Sequence, residues 1–232
     1  MSATPQHRRS RYDLMILFTS MAMIAGAAAP AFAATEDFST MPLNVCLTDG
    51  AVIGQWEFVY NGYGCTSFAS LQGNTALVEQ PKTATRVGET HASLVLGPST
   101  VGDVSVQVDI NTNKQLRNKK PHAWEVGWLL WNFTDNLHFY YFIAKPTGWE
   151  LGKEDPAYPG SQRFLATGSF PTFPIGQWYR VKAVQTGGTI QIFVNGALIT
   201  TFTDTESPYW NGRVGLYTED AKIYFDNVIT SP

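Results

Sequence analysis

Four short segments near the end of the chain alternate apolar and polar side chains, and this pattern constrains the fold more than any other feature of the sequence. The segments are residues 178–181, 189–194, 214–217 and 224–228, and each contains a Gly, Asn or Asp or has one within two residues. A period of two places successive side chains on opposite faces of a sheet. Because no helical pattern separates the four segments, they predict an antiparallel β-sandwich.

The rest of the chain carries the same signal. Between residues 103 and 110, the apolar side chains Val104, Val106, Val108 and Ile110 alternate with polar ones, which predicts a strand with one wet and one dry face. Residues 124–131 and 138–144 are rich in aromatic side chains and predict two further strands. With no repeat or linker, residues 34–232 form one predicted domain of about twelve to fourteen strands in two packed sheets.

The order of the C-terminal motifs WYRV, TIQIFVNG, VGLY and YFDNV resembles the C-terminal half of concanavalin A-like jelly-roll domains, the superfamily of laminin-G modules, lectins and glucanases. The sequence is also similar to 3-keto-disaccharide-hydrolase-like domains of secreted bacterial proteins. The resemblance implies an all-β, two-sheet antiparallel jelly-roll sandwich. It also implies that the protein handles carbohydrate outside the cell.

The first 33 residues predict a secretory signal peptide. Arg8, Arg9 and Arg11 precede an apolar run over residues 14–29, and Ala31-Phe32-Ala33 fits a cleavage site. Cleavage would leave a secreted or periplasmic chain without a membrane span. Loss of the segment takes the formal net charge from −3 to −5, and a mildly acidic chain without a basic cluster argues against nucleic acid as a partner.

The two cysteines of the chain, Cys46 and Cys65, predict one disulfide. An even pair in an exported protein is typical of a structural bridge. Closing a loop of about 20 residues would stabilise the fold by roughly 3 kcal/mol on the chain-entropy model. A catalytic thiol is the alternative, and the absence of a neighbouring His in the sequence disfavours it.

The stretch from residue 124 to residue 163 combines aromatic with ionisable side chains. Flat aromatic rings match the apolar faces of sugars, and charged or amide groups match their hydroxyl edges. A polysaccharide or oligosaccharide is therefore the expected partner. The predicted substrate-binding residues are Trp128, Trp149, Lys153, Tyr158 and Arg163.

Two acid–base arrangements in the same stretch point to enzymatic alternatives. Glu125, a lone acid in an apolar strand, could act with Glu150 as the carboxylate pair of a glycoside hydrolase, or could form a structural ion pair. His138 and Tyr140 are the acid–base pair of a polysaccharide lyase, or polar surface residues. If Lys145 pairs with Trp149 across the intervening turn, then His138, Tyr140, Glu150 and Glu154 share one face; a loop of another length flips one strand.

Asp37 and Asp226 resemble paired acidic positions of calcium-stabilised members of the superfamily. The terminal strands of such sandwiches lie side by side, and Ca²⁺ binds carboxylate and carbonyl oxygens. The resemblance therefore implies a structural Ca²⁺ site, while a turn without an ion fits the same residues. No His and Cys cluster predicts zinc, and no motif predicts an organic cofactor.

Taken together, these patterns predict a secreted protein that binds a polysaccharide on an aromatic sheet face with polar edges. A glycoside hydrolase or a polysaccharide lyase on the same scaffold is the first alternative. A calcium-dependent adhesion module, with its function at a metal on the rim, is the second.

Overall fold

Sixteen β-strands and no helix occur in the part of the chain that the computed structural model describes, residues 33–71 and 73–232. The predicted signal peptide lies outside these residues, apart from Ala33. In chain order the strands are β1 Ala34–Glu36, β2 Ala51–Ile53, β3 Trp56–Tyr60, β4 Cys65–Leu71, β5 Asn74–Gln80, β6 Ala92–Val101, β7 Val104–Gln115, β8 Gly127–Asp135, β9 His138–Lys145, β10 Gly148–Glu154, β11 Gln162–Gly168, β12 Trp178–Thr186, β13 Thr189–Val194, β14 Ala197–Thr203, β15 Asn211–Glu219 and β16 Ala221–Ser231.

The strands form two antiparallel sheets of eight strands each, which confirms the predicted sandwich. Sheet A has the order β14-β13-β12-β7-β16-β5-β4, and β1 also pairs with β16. Sheet B has the order β11-β10-β9-β8-β15-β6-β3-β2. The strand number exceeds the sequence prediction, partly because β4 and β5 lie in a region for which the pattern predicted none.

The main core lies between the two sheets. The predicted alternation along β7 is confirmed, because Val104, Val106, Val108 and Ile110 are at most 5% exposed and pack in this core. Sheet B contributes Leu129 and other inward side chains, all fully or nearly fully buried. Burial of a side chain of this size contributes about 1.5–3 kcal/mol of hydrophobic free energy.

A second apolar cluster lies on the outer face of sheet B, which points away from sheet A. Its buried members are Leu94, Leu96, Val126, Trp128, Leu130, Phe133, Tyr141 and Ile143. Strand β8 therefore packs on both faces, which explains its continuous apolar sequence, Gly-Trp-Leu-Leu-Trp. An apolar outer face with neighbouring loops is where a ligand groove can form.

Cys46 and Cys65 form the predicted disulfide, which ties the segment before β2 to the first residue of β4. Both cysteines of the chain are therefore paired. Among the described residues, no helix is long and apolar enough to cross a bilayer.

Candidate functional site

An apolar row crosses the central strands of sheet B on its outer face. Tyr217 of β15 lies opposite Trp128 of β8, and Trp128 lies opposite Ile143 of β9. The rings of Trp128 and Tyr217 meet edge to face, with their centroids 5.2 Å apart. The row gives this face a rigid aromatic floor.

A groove of about 360 Å³ opens on this floor. Its residues come from seven strands and from the loop between β8 and β9. They are Tyr60, Leu94, Trp128, Leu130, Phe133, Asn136, Phe139, Glu154, Gln162, Tyr217 and Glu219. Most of the wall is aromatic or aliphatic, and the few polar groups are amides and carboxylates. This combination is typical of a site for a small, partly polar ligand.

Glu154 is the acid of this groove that is best suited to proton transfer. Burial, followed by the negative charge of Glu219, raises the pKa of its carboxyl group to about 7. Neither a hydrogen bond nor an ion pair from the described residues contributes to this shift. A carboxyl group with a pKa near neutrality is present in both protonation states and can donate or accept a proton.

Glu219, the second acid of the groove, is fixed by a hydrogen bond that Glu154 lacks among the described residues. Its Oε1 accepts a hydrogen bond from the Tyr217 hydroxyl at 2.7 Å. Burial raises the pKa of Glu219, with the charges of Asp220 and Glu125 adding to the shift. Because the pKa of Glu154 is about 7, its carboxyl group is only partly ionised at neutral pH.

The predicted face assignment of the β9–β10 hairpin is wrong. Lys145 pairs with Gly148, so the loop is one residue shorter than assumed, and Glu150 lies opposite Ile143. Because side chains alternate with period two, this shift separates the four residues that were expected to share a face. Tyr140 faces the core, whereas Glu154 faces the groove.

Glu125 lies in an internal ion pair and does not line the groove. Its side chain is fully buried and accepts a hydrogen bond from the Arg117 guanidinium. Arg117 also donates to Asp220 at 2.6 Å and to the Glu89 carbonyl at 2.9 Å. A carboxylate enclosed in this way stabilises the loop before β8, so this placement supports the structural alternative.

Glu150 and Trp149 are also engaged internally. Lys145 donates to Glu150 Oε2 at 2.7 Å and the Tyr141 hydroxyl donates to its Oε1 at 2.8 Å. Trp149 packs in the main core, and its indole N–H donates to the Phe170 carbonyl at 3.0 Å. The structure therefore does not bring Glu150 together with Glu125 as a carboxylate pair.

Lys153 and Tyr140 form a second internal cluster on the core side of the hairpin. Both donate to Asp204 Oδ2, Lys153 at 2.9 Å and the Tyr140 hydroxyl at 2.7 Å. Although burial alone would raise it, these hydrogen bonds hold the pKa of Asp204 below its ordinary value. Burial is the main cause that raises the pKa of Tyr140 well above its usual range. Neither residue reaches the groove.

The remaining predicted residues lie outside the groove. His138 pairs with Asp135 at 2.8 Å, whereas the buried Tyr140 hydroxyl donates to Asp204, so the two side chains have different partners and do not form an open acid–base pair. Arg163 binds Glu206 at 2.8 Å and stacks on the Tyr158 ring, with its guanidinium carbon 5.8 Å from the ring centroid.

Of the predicted catalytic and substrate-binding residues, Trp128 is the one that lines the groove. Sequence reasoning missed Tyr60, Tyr217 and Glu219 as site residues. It grouped Glu154 with Tyr140 on one face, whereas Glu154 lines the open groove and Tyr140 lies in the core. The alternation Tyr217-Thr218-Glu219 does place these two polar residues on one face of β15. Only the pairing of β15 with β8 shows that this face is the outer one.

The predicted calcium residues lie in different settings. Asp37 is exposed and accepts a hydrogen bond from the Ser39 backbone N–H at 3.0 Å. Asp226 is 6% exposed, and burial raises its pKa to about 6, with the charges of Asp109 and Asp37 adding to the shift. No group of three or more His, Cys, Asp or Glu among the described residues could hold a metal ion. Two carboxylates would need backbone carbonyls to complete a Ca²⁺ shell, so the calcium site stays a prediction.

The family comparison agrees with this geometry. A profile of the 3-keto-alpha-glucoside-1,2-lyase-like domain matches residues 98–229, more than half of the chain. The match spans β7 to β15 and most of β16, and thus includes most of the groove. No curated protein matches the sequence.

Solved structures with a similar fold include carbohydrate-binding modules. The carbohydrate-binding module CBM66 from Bacillus subtilis has a TM-score of 0.56 and 16% identity, over 77% of this chain and 96% of that one. Domain 4 of AbnA, a GH43 extracellular arabinanase from Geobacillus stearothermophilus in complex with arabinotriose, has a TM-score of 0.53 and 14% identity, over 87% and 93% of the chains. The Crh5 transglycosylase has a TM-score of 0.53 and 11% identity, over 86% of this chain and 83% of that one. These likenesses confirm the jelly-roll fold.

Proposed function

The chain belongs to the family of 3-keto-alpha-glucoside-1,2-lyase-like domains, which are carbohydrate-binding or glycosidase-related jelly-roll sandwiches, and from this premise we propose that it binds an oligosaccharide stretch of a polysaccharide in the groove on the outer face of sheet B. The observation that carries the proposal is the groove itself. It combines a floor of Trp128 and Tyr217 with the ionisable carboxyl group of Glu154.

The chemistry of the groove favours an uncharged glycan. Its acids are Glu154 and Glu219, and no Lys or Arg is among the residues that line it. A site without a cationic side chain cannot neutralise the carboxylates of uronic acid polymers, which disfavours the alternative of a lyase acting on such polymers. Aromatic walls can stack on sugar rings, while carboxylates and amides accept and donate hydrogen bonds at hydroxyl edges.

Gln162 connects the groove with its surroundings. Its side-chain N–H donates to the Tyr141 hydroxyl at 3.0 Å, and that hydroxyl donates to Glu150 at 2.8 Å. This chain of hydrogen bonds holds the Gln162 amide in one orientation. A preoriented polar group loses less entropy when it meets a ligand.

Binding can be tested by calorimetry with cellotriose, laminaritriose and arabinotriose as probes. We expect Phe139→Ala and Gln162→Ala each to weaken binding by about tenfold, the cost of truncating a central contact. Trp210→Ala is the matched control, because Trp210 is 45% exposed and does not line the groove. Binding that survives both groove variants unchanged would contradict the proposal.

A lyase is the second candidate, and the pKa of Glu154 is the observation that favours it. A 1,2-lyase acting on a 3-keto-glucoside removes the proton at C2, which the neighbouring ketone acidifies, while the C1–O bond breaks and a C1=C2 double bond forms. The departing oxygen takes up a proton and leaves as the alcohol group of the released product. A carboxylate with a pKa of about 7 suits that proton transfer.

This candidate is tested with a 3-keto-α-glucoside by following the ultraviolet absorbance of the unsaturated ketone. Glu154→Gln should abolish product formation while the variant still binds cellotriose, laminaritriose or arabinotriose. Binding without product in the wild type would leave the protein a binder. Formation of a reducing sugar without the unsaturated ketone would indicate a hydrolase.

Export is part of the same proposal. The basic and apolar segments of residues 1–33 are typical of a signal peptide, and the disulfide of Cys46 with Cys65 suits an oxidising compartment. Mass spectrometry of the protein recovered after expression should find Ala34 at the N-terminus. Recovery of the full-length chain from the cytoplasm would contradict export.

A further inference from the structure

A second groove lies on the outer face of sheet A, on the opposite side of the sandwich from the groove described above. Its volume is about 440 Å³, larger than that of the first. It is lined by Leu71, Asn74, Ala76, Asp109, Asn111, Asn113, Trp178, Tyr224, Asp226 and Asn227. Six of these ten side chains are amides or carboxylates, so the groove is polar with aromatic ends.

One row of side chains across three strands sets the shape of the groove. Trp178 of β12 lies opposite Asn111 of β7, and Asn111 lies opposite Tyr224 of β16. Strands are spaced about 4.8 Å apart, so the two aromatic residues stand about 10 Å from each other on either side of the amide. Trp178 is 40% exposed, which leaves its ring open to a ligand.

Asn111 is the residue that points to a ligand. It is only 9% exposed, and its Oδ1 has no hydrogen-bond partner among the described residues. A buried polar atom without a partner costs about 1–3 kcal/mol, and such atoms in native proteins usually mark a missing water, ion or ligand. Because the Asn111 side chain lines the groove, a hydroxyl group bound there would supply the partner.

A second row of side chains, in which Asp109 lies opposite Arg180 and Asp226, limits the charge of that ligand. Arg180 donates to both oxygens of Asp109, at 2.8 and 2.9 Å, and Asn227 Nδ2 donates at 3.0 Å. Asp109 is thereby satisfied within the protein and is not free to bind a cation. Asp226 accepts the Asn227 backbone N–H at 2.7 Å and remains an acid at the groove edge, so anions are disfavoured.

The backbone is shaped at the same place. The pairing of β16 with β7 shifts register between Asp226 and Ile229, and Asn227 has a φ of 51°. A β-bulge next to a site re-aims a side chain, and here the bulge coincides with the Asn227 amide that binds Asp109. On the neighbouring strand β5, the small side chain of Ala76 leaves room for the groove.

We propose that this groove is a second binding site for an uncharged, hydroxyl-rich ligand, namely an oligosaccharide. The ligand class follows from the exposed Trp178 ring, the unpartnered Asn111 oxygen and the absence of free cationic groups among the residues lining the groove. This site goes beyond the proposed function, because none of its residues belongs to the groove on sheet B. It contains Asp226, one of the predicted calcium residues, and assigns it a role without a metal.

Two sites on opposite faces would let one chain hold two glycan strands. A chain with two sites binds a polymer more tightly than either site alone, because the second contact is intramolecular. Such a protein should also cross-link a soluble polysaccharide, which a protein with a single site cannot do as a monomer.

The test follows the indole N–H signal of Trp178 by NMR, assigned through its loss in Trp178→Phe. Cellotriose, laminaritriose and arabinotriose are titrated to about 20 mM with EDTA present, a range in which millimolar affinity is measurable. We expect the signal to shift with at least one of them. Asn111→Leu should weaken this binding by about tenfold or more, while it removes the unpartnered oxygen and leaves stability equal or higher.

The outcomes separate the two sites. If Phe139→Ala abolishes all binding and the Trp178 signal never moves, the inference is wrong and the proposed function stands. If the Trp178 shift persists in Phe139→Ala but is lost in Asn111→Leu, the inference holds whatever happens at the first groove. A Trp178 shift that Asn111→Leu leaves unchanged, with Trp210→Ala as the control, also overturns the inference.

Discussion

Lys153 and Glu154 are neighbours in the sequence and occupy opposite environments. Lys153 is fully buried on the core side of sheet B, where it pairs with Asp204. Glu154 points to the other face and lines the groove without a cationic partner. The comparison shows that charged side chains in this chain have two roles: some form buried ion pairs between elements of the sandwich, and others line a groove. Alternation along one strand places the two kinds on opposite faces.

The same division recurs at the end of β15. Asp220 belongs to the internal cluster around Arg117, whereas Glu219 lines the groove. Most ionisable side chains of the aromatic stretch, residues 124–163, are therefore paired inside the protein. The acids that line the groove, Glu154 and Glu219, lie at strand ends beside these pairs. Perturbation of the two sets should have different consequences, and four measurements distinguish them.

The largest effect is expected for Arg117→Met. This change leaves the fully buried carboxylates of Glu125 and Asp220 without their shared cation. Breaking a buried ion pair by removing one partner costs about 3–5 kcal/mol, and here two acids lose theirs. Urea unfolding should show a loss at the upper end of that range.

The matched control for Arg117→Met is Glu219→Gln, which alters a groove acid beside the same cluster. It should change the free energy of unfolding by less than about 1 kcal/mol, as is common away from buried networks. Equal losses in the two variants would remove the distinction between internal and groove acids.

Lys153→Met should lower the free energy of unfolding by about 3 kcal/mol, slightly less than Arg117→Met, because Asp204 keeps the hydrogen bond from Tyr140. Its control lies one residue along the chain, Glu154→Gln. If the double variant Lys153→Met with Asp204→Leu recovers most of the loss, the cost of the single change is the unpaired carboxylate. A single variant as stable as the wild type would show that the pair does not close the sandwich.

A smaller effect separates two adjacent tyrosines. Tyr140→Phe removes a buried hydrogen bond to Asp204 and should destabilise the fold by about 1–2 kcal/mol without affecting glycan binding. Tyr141→Phe removes the hydroxyl that orients Gln162 and should weaken binding more than stability. Calorimetric binding and urea unfolding of both variants give the comparison, and a reversed pattern would contradict the face assignment.

The fold could be predicted from the sequence further than the site. The alternation of Val104, Val106 and Val108 predicts which face of the strand is buried, and this prediction does not require knowing which strands pair. Which residues share a face with Glu154 depends on the length of one turn, and a single-residue difference in that loop places Tyr140 on the opposite face from Glu154. The pairing of Arg117 with Glu125 and Asp220 depends on contacts across as many as 103 residues, which no local pattern records.

The smallest effect concerns pH, and it has opposite signs on the two faces. The pKa of Glu154 in the folded protein is about 7, above its ordinary value of 4.5, so the folded state binds more protons than the unfolded state between these values. Stability should therefore fall as the pH rises through that window, by about 1 kcal/mol once solvent screening of this half-exposed group is allowed for. The lowered pKa of Asp204 acts the other way, because it stabilises the fold above the ordinary value of 3.8 and the gain is lost only as the pH falls below it. The raised pKa values of Asp226 and Glu219 add slope of the same sign in this window, so the difference between the wild type and Glu154→Gln reports on Glu154. In urea unfolding at several pH values between 4.5 and 7, Glu154→Gln should reduce the slope, and a variant that keeps the full wild-type slope would contradict the prediction.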